Sequence, residues 1–227
     1  MNLLWSALAV VAGYLIGSLS FAVIISRSMG LADPRTYGSK NPGATNVLRS
    51  GNKSAAVLTL VFDLLKGLLP VLAAAYYGPR LGFGESVPAW VGLAAFIGHL
   101  APVYFRFQGG KGVATAAGVL LGLNPWLAVA TLATWAIIAF FFRYVSLASI
   151  VAAVFAPFYQ LLIWGVDPAT LPITVMGMLL VWRHFPNIQR LMAGTESRLG
   201  RKPAAEAAAK PPAAHHTPHK AHKKGHS

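Results

Sequence analysis

Apolar residues occur in this chain as runs long enough to cross a bilayer, and that feature constrains its fold more than any other. A hydrocarbon core of about 30 Å takes about 20 residues of helix. Residues 3–25 and 54–75 meet that length, as do 88–105, which opens on Pro88, 125–142, and 145–164, which contains Pro157. Two further runs are short: 112–123, stopped by Asn124-Pro125, and 169–182, stopped by Arg183-His184. Short runs imply broken helices or irregular backbone lined by protein, because lipid cannot satisfy open amides. The pattern predicts an all-α polytopic integral membrane protein with about seven transmembrane helices, some short or broken. Composition agrees, since only 11% of residues are charged against about 25% in soluble domains. A chain of 227 residues suits a single transmembrane domain over 1–200 and leaves no room for a separate soluble one.

Charge sets the expected orientation. The chain carries 19 Lys and Arg against 6 Asp and Glu, a net charge of +13. With seven spans, the connections at 26–53, 106–111 and 143–144 share a side with the C-terminal segment. That side holds all the basic residues except Arg80, opposite, and Lys66, inside a span. The positive-inside rule then places the N-terminus outside and the long loops and C-terminus in the cytoplasm. Basic residues set between apolar runs argue for a membrane surface rather than nucleic acid as the partner. Residues 1–25 have no basic segment before the apolar stretch and no clear cleavage site, so they read as a retained first span. The stretch 201–227 is rich in Ala, Pro, Lys and His and reads as a disordered basic tail attracted to anionic lipid. Its His215, His216, His219, His222 and His226 suit a solvated tail better than a metal site. No cysteine is present, which excludes disulfides and a cysteinyl acyl-enzyme.

Three polar clusters interrupt the apolar pattern. The first, GSKNPGATNVLR at 38–49, contains Ser39, Asn41, Asn46 and Arg49 among backbone-punctuating glycines and a proline. A helix beginning near Thr45 would present free amides and an Arg to a phosphate. An ordinary capped turn, with Arg49 on lipid headgroups, fits the same spacing. The second cluster is Gly109-Gly110-Lys111-Gly112, leading into an apolar helix. Such a turn lets backbone amides and an ammonium approach an anion. It is not a Walker A loop, because Gly112 stands where Ser or Thr is required. The third cluster, 183–196, carries His184, Asn187 and Glu196; alone it reads as an interfacial basic belt. Within the apolar runs, Asp63 and Lys66 share a helix face and fit an internal pair, either a brace or a functional charge. His99 reads as a hydrogen-bonded structural histidine. Tyr104 follows His99 by five residues and Gln189 follows His184 by five, so no H-x-x-x-x-D pair exists; nor does a G-x-S-x-G elbow.

Taken together, GSKNPGATNVLR, FDLLKG, GHLAPVYFRFQGGKGVATAAG and RHFPNIQRLMAGTE resemble, in order, the signatures of the PlsY-type acyl-phosphate:glycerol-3-phosphate acyltransferases of bacterial inner membranes. The resemblance runs from the first span to about Glu196. It implies transfer of a fatty acyl group from acyl-phosphate to the 1-hydroxyl of glycerol 3-phosphate, giving 1-acylglycerol 3-phosphate for phospholipid synthesis. It also implies seven spans with an outside N-terminus. Carried over position by position, the family's phosphate-binding and catalytic residues fall on Ser39, Asn41, Arg49, Lys111, His184 and Asn187. Asn46, Ser146 and the glycines 109, 110 and 112 join them as substrate-binding positions, with His99, Glu196, Asp63 and Lys66 as possible support. Lys40 departs from the family pattern, which commonly has a small residue there; a positive φ would strain it, while an exposed position would let it add anion attraction.

The residue inventory suits that chemistry. Both substrates carry phosphate, and an acyl-phosphate already contains a good leaving group. The protein has to hold two anions together and stabilise developing negative charge, which favours cations and amides over carboxylates. Neither a metal-ligand set nor a nucleotide site is evident, and no cofactor or nucleic-acid partner is expected. The acyl-phosphate, glycerol 3-phosphate and the bilayer are the expected partners of a monomeric chain. A transporter of a small phosphorylated solute is the alternative from another class.

Overall fold

The computed structural model describes residues 2–200, so the basic tail expected at 201–227 lies outside the described residues. Among the described residues the regular structure is entirely helical. Helix α1 (Leu3–Gly17) and α2 (Phe21–Ser28) are followed by a loop, a short α3 (Ala44–Val47), and the long α4 (Lys53–Leu81). Then come α5 (Val87–Leu100), α6 (Val113–Leu123), α7 (Pro125–Phe142), α8 (Val145–Tyr159), α9 (Thr170–Arg183) and α10 (Phe185–Met192). Helix starts follow local chemistry. Asn2, Asn52 and Asn124 each accept a backbone N–H from the first turn, closing α1, α4 and α7 at their N-termini.

Four helical segments are long and apolar enough to span a bilayer: Lys53–Leu81, Val87–Phe105, Pro125–Phe142 and Val145–Trp164. The bent pair α1–α2 makes a fifth, while α6 and α9 are apolar but shorter. The expected continuous run at 3–25 is therefore corrected to two helices bent by 42°. Ser18, Leu19 and Ser20 break the hydrogen-bond ladder, and the freed Leu19 carbonyl accepts from Lys66 Nζ at 2.7 Å. Lys66 in turn lies 2.8 Å from Asp63 Oδ1, both side chains almost wholly buried. The internal pair on α4 is thus a brace across the break, supplying inside the protein the partner that lipid cannot.

Helix α5 runs through the middle of the bundle, and Phe96 and Leu93 on it pack with Val119, Leu127, Ile173 and Leu180. Glycines permit close helix contact on two sides of this core. A Cβ at Gly17 would sit 2.0 Å from the Ala95 carbonyl oxygen, and one at Gly118 would sit 2.0 Å from that of Leu64. Helices α1 and α5, and α4 and α6, approach through these positions. Outward-facing Trp126, Phe140, Phe141 and Val154 are exposed on the protein and suit contact with acyl chains.

Candidate functional site

The Gly109–Gly112 loop joins α5 to α6 and is gripped from two elements. Gly110 N–H donates to the His99 carbonyl at 3.1 Å. From the end of α9, Arg183 donates to the Gly109 carbonyl at 2.9 Å and to the Gly110 carbonyl at 3.0 and 3.1 Å. A Cβ at Gly110 would fall 2.2 Å from His99 Nε2 and 2.7 Å from the Pro42 carbonyl oxygen. The first cluster therefore packs directly on the second. Gly112 takes a φ of +83° against the Phe96 ring and starts α6. That combination of positive φ and absent Cβ suits glycine.

Lys111 leaves this loop and donates through Nζ to Asn187 Oδ1. Asn187 sits on α10 and donates through Nδ2 to Glu196 Oε1 at 2.7 Å. The same oxygen accepts from Ser146 Oγ at 2.8 Å, and Oε2 accepts from Arg190 Nε at 2.7 Å. Glu196, whose part the sequence leaves open, is thus the hub that fixes the Asn187 amide with its oxygen towards Lys111. Burial would raise the Glu196 carboxyl, but the donors Asn187, Ser146 and Arg190 outweigh it and hold the group below its ordinary value. Lys111 is driven the other way. Burial first, then the Arg190, Arg183 and Arg49 charges, outweigh the attraction of Glu196 and bring its ammonium down to about 8.

His184 caps α9 and is buried. Its Nδ1 lies 2.8 Å from the Leu180 carbonyl oxygen, which can only accept, so the network assigns the proton to Nδ1 and a lone pair to Nε2. Burial, reinforced by the Lys111 charge, pushes His184 down to about 4, leaving the ring neutral near pH 7.

In the first cluster, α3 begins one residue before Thr45, and Arg49 falls in the 3₁₀ turn Leu48–Ser50 that follows. Arg49 is exposed and reaches Ser197 Oγ at 3.3 Å, next to Glu196. This contact brings the first cluster to the third. Ser39 is exposed and Asn41 half-buried beside Gly43. Asn46, expected among the substrate-binding residues, is buried and its side chain is already committed. Oδ1 accepts from Ser39 N–H at 3.0 Å, while Nδ2 donates to the Pro34 and Tyr37 carbonyls at 2.7 and 3.2 Å. With both ends of the amide used, Asn46 clasps the loop that presents Ser39. Lys40 is exposed and has a φ of +54°, so it meets the conditions for both strain and anion attraction.

His99 is buried, as expected, with Nδ1 3.3 Å from Thr115 Oγ1 and 3.6 Å from Asp63 Oδ1. Arg183 is the residue that sequence reasoning missed. Its signal was present: a Gly-Gly pair has no side chains to satisfy its own carbonyls, so another element must do so. Lys111, Asn187, Glu196, Ser146, Arg183 and His184 gather at one end of the bundle, with Arg49 and Pro42 at the rim. A separate cavity of about 270 Å³ lies at the opposite end, among Glu85, Asn124, Gln160 and Asp167, and none of the three clusters lines it.

The helical bundle thus brings its cations and its glycine-rich loop together at one end. Residues 7–194 match the glycerol-3-phosphate acyltransferase family, and the chain belongs to it. Among similar sequences, the glycerol-3-phosphate acyltransferase of Ralstonia nicotianae is 64% identical over 85% of this chain and 93% of its own length. That of Paraburkholderia phytofirmans is 62% identical over 88% of this chain and 94% of its own. Two crystal structures of PlsY, an integral membrane glycerol 3-phosphate acyltransferase, are also similar at 38% identity. The glycerol 3-phosphate form superposes with a TM-score of 0.80, covering 90% of this chain and 99% of that one. The lysophosphatidic acid form gives 0.78, covering 86% and 95%. Family membership places this chain with the acyltransferases rather than with solute transporters.

Proposed function

We propose that this glycerol-3-phosphate acyltransferase takes its acyl group from an acyl-phosphate and places it on the 1-hydroxyl of glycerol 3-phosphate, releasing inorganic phosphate and 1-acylglycerol 3-phosphate. The hydroxyl oxygen attacks the acyl carbonyl carbon, the bond from that carbon to the phosphate oxygen breaks, and the hydroxyl proton ends on a phosphate oxygen. Lys111 and Arg49 hold phosphate, Ser39, Asn41 and Ser146 supply hydrogen bonds to the substrates, and Asn187 and His184 orient the reacting groups. The Gly109, Gly110 and Gly112 backbone admits the anion closely.

What supports this reading is the hydrogen-bonded chain Lys111–Asn187–Glu196–Ser146 near a buried His184 whose Nδ1 faces the Leu180 carbonyl, with Lys111 brought to about 8 and His184 to about 4. A histidine brought down to about 4 is a poor general base at neutral pH. A substrate phosphate oxygen, by contrast, is basic enough to take the proton and already lies beside the reacting carbonyl. On this reading His184 Nε2 accepts the hydroxyl hydrogen bond and sets its direction. A His184→Gln enzyme keeps kcat within about tenfold, whereas loss of a dedicated base costs about 10² to 10⁴; a drop of that larger size would reassign the proton to His184.

The same reading places the chain in the bacterial inner membrane with seven spans, counting α1–α2, α6 and α9. The N-terminus is then outside and the site faces the cytoplasm, supported by the one-sided distribution of Lys and Arg. Residues 1–200 form one catalytic domain, and the chain acts as a monomer. The acyl chain lies against the apolar helix faces and enters sideways from lipid. Purified enzyme in detergent with palmitoyl-phosphate and labelled glycerol 3-phosphate tests the donor. Lysophosphatidic acid formed without coenzyme A supports the proposal, and product formed only from acyl-coenzyme A or an acyl-carrier protein overturns it. As the chain has no cysteine, single cysteines at Ser50 and Ser86 report the two faces directly.

A further inference from the structure

The buried Asp63, His99 and Thr115 belong to three different helices and meet directly beneath the glycine-rich loop. Their hydrogen-bond logic has one solution. Thr115 Oγ1 lies 2.9 Å from the Asp63 main-chain oxygen, an acceptor only, so the hydroxyl proton is committed there. The Thr115 oxygen can then only accept from His99 Nδ1, 3.3 Å away, and the Asp63 carboxylate at 3.6 Å makes the same demand. His99 therefore carries a proton on Nδ1, and its ring plane is set by α4 and α6 together. The opposite edge of the ring, Nε2, abuts the Gly110 backbone so closely that no Cβ fits between them. The His99 main-chain oxygen takes the Gly110 N–H as well.

We infer that His99 is a positioning residue for the Gly109–Gly110–Lys111 loop, with Asp63 and Thr115 fixing its ring as a spacer that sets the height of the loop amides and the Lys111 ammonium. The substrate consequence rests on the functional reading above: His99 tunes capture of the glycerol 3-phosphate phosphate without touching it. Arg183, from the end of α9, holds the loop carbonyls. Losing the ring orientation lets the loop sink towards α5 and misplaces Lys111 relative to Asn187.

The two amide replacements of His99 separate this role from simple packing. Asparagine places an N–H where Nδ1 stands and keeps the contact with Thr115 and Asp63; glutamine places its amide near Nε2 and loses it. The expected result is that His99→Asn binds glycerol 3-phosphate within about threefold of wild type, while His99→Gln binds it about tenfold or more weaker than wild type, a loss of about 1.4 kcal/mol. In turnover His99→Gln raises KM for glycerol 3-phosphate while KM for palmitoyl-phosphate moves less than threefold. Thr115→Val, which removes the accepting oxygen, gives the same selective rise, and Thr115→Ser restores binding. These two variants read the same contact if His99→Gln does not fold.

Binding is measured by calorimetry on detergent-solubilised protein with glycerol 3-phosphate itself, so the result does not depend on the acyl donor. A folded His99→Gln with unchanged affinity overturns the inference. So does a His99→Asn as weak as His99→Gln, or equal loss of both substrates. Failure of the acyl-phosphate assay with the binding differences intact removes the donor assignment and leaves the positioning role standing.

Discussion

Glu196→Gln removes one negative charge from the hub that orients Asn187 towards Lys111, and its effect on Lys111 is calculable. One amide separates the two charges, a distance on the order of 7 Å, at which unit charges interact by roughly 0.6 kcal/mol in water and roughly 2.4 kcal/mol at an effective dielectric of 20. The Glu196 side chain is 6% exposed while its partner Arg190 is 44% exposed, so an intermediate value of about 1.4 kcal/mol, or about one pH unit, is appropriate. The sign follows from the charge. Glu196 favours the ammonium form of Lys111, which titrates at about 8, so losing Glu196 moves that titration lower. In free enzyme Lys111 is charged below its pKa, and phosphate capture declines as pH rises through it. Wild-type kcat/KM for glycerol 3-phosphate should fall with a limb near pH 8, and Glu196→Gln should shift the limb about one unit to acid. Arg190→Met, which removes a cation that disfavours the Lys111 ammonium, should move it to alkali by less, since Arg190 is 44% exposed. Profiles from pH 6 to 10 in one detergent read all three. A Glu196→Gln limb that stays in place, or moves to higher pH, refutes the assignment of the limb to Lys111 under Glu196 control.

Three further substitutions probe the frame. Gly110→Ala puts a Cβ 2.7 Å from the Pro42 carbonyl oxygen, which belongs to backbone, so the loop must shift. Such a displacement costs about 10²-fold in kcat/KM, read by steady-state kinetics on folded protein. Arg183→Lys keeps the charge but loses the planar fork that meets two carbonyls; kcat/KM should fall about tenfold, with little change in the melting temperature. Lys66→Met leaves Asp63 as an unpaired buried charge and the Leu19 carbonyl open, costing about 3–5 kcal/mol. The yield of folded protein in membranes should collapse, and Asp63→Asn in the same chain should recover part of it.

The legible parts of this protein are those in which chemistry and chain order coincide. Apart from 3–25, each apolar run long enough to span became one helical segment, Asn124-Pro125 began α7, and the Gly109–Gly112 turn opened α6, because these depend on neighbours within a few residues. The break at Ser18–Ser20 was hidden inside an apolar run. Its cause is the lysine 47 positions away that satisfies Leu19, a contact that periodicity does not report. Asn46 illustrates the converse. Its residue type suits substrate binding, yet three backbone partners within 12 residues of it consume the amide. Arg183 and Glu196 were visible as charges at the end of a span, but their work is done 73 and 50 residues away. Composition thus reveals that a polar group needs a partner, while only the packed bundle shows which partner it takes.

The grip of Arg183 on Gly109 and Gly110 carries a consequence for synthesis. The glycine-rich loop is made long before its clamp, and Glu196, which aligns Asn187, comes later still. A nascent chain halted after α7 would hold the glycine-rich loop from the His99 side alone, with neither the Arg183 clamp nor the Asn187 that receives Lys111. Competence therefore arrives in one step, as the last helices insert. Partly made chains would lack it.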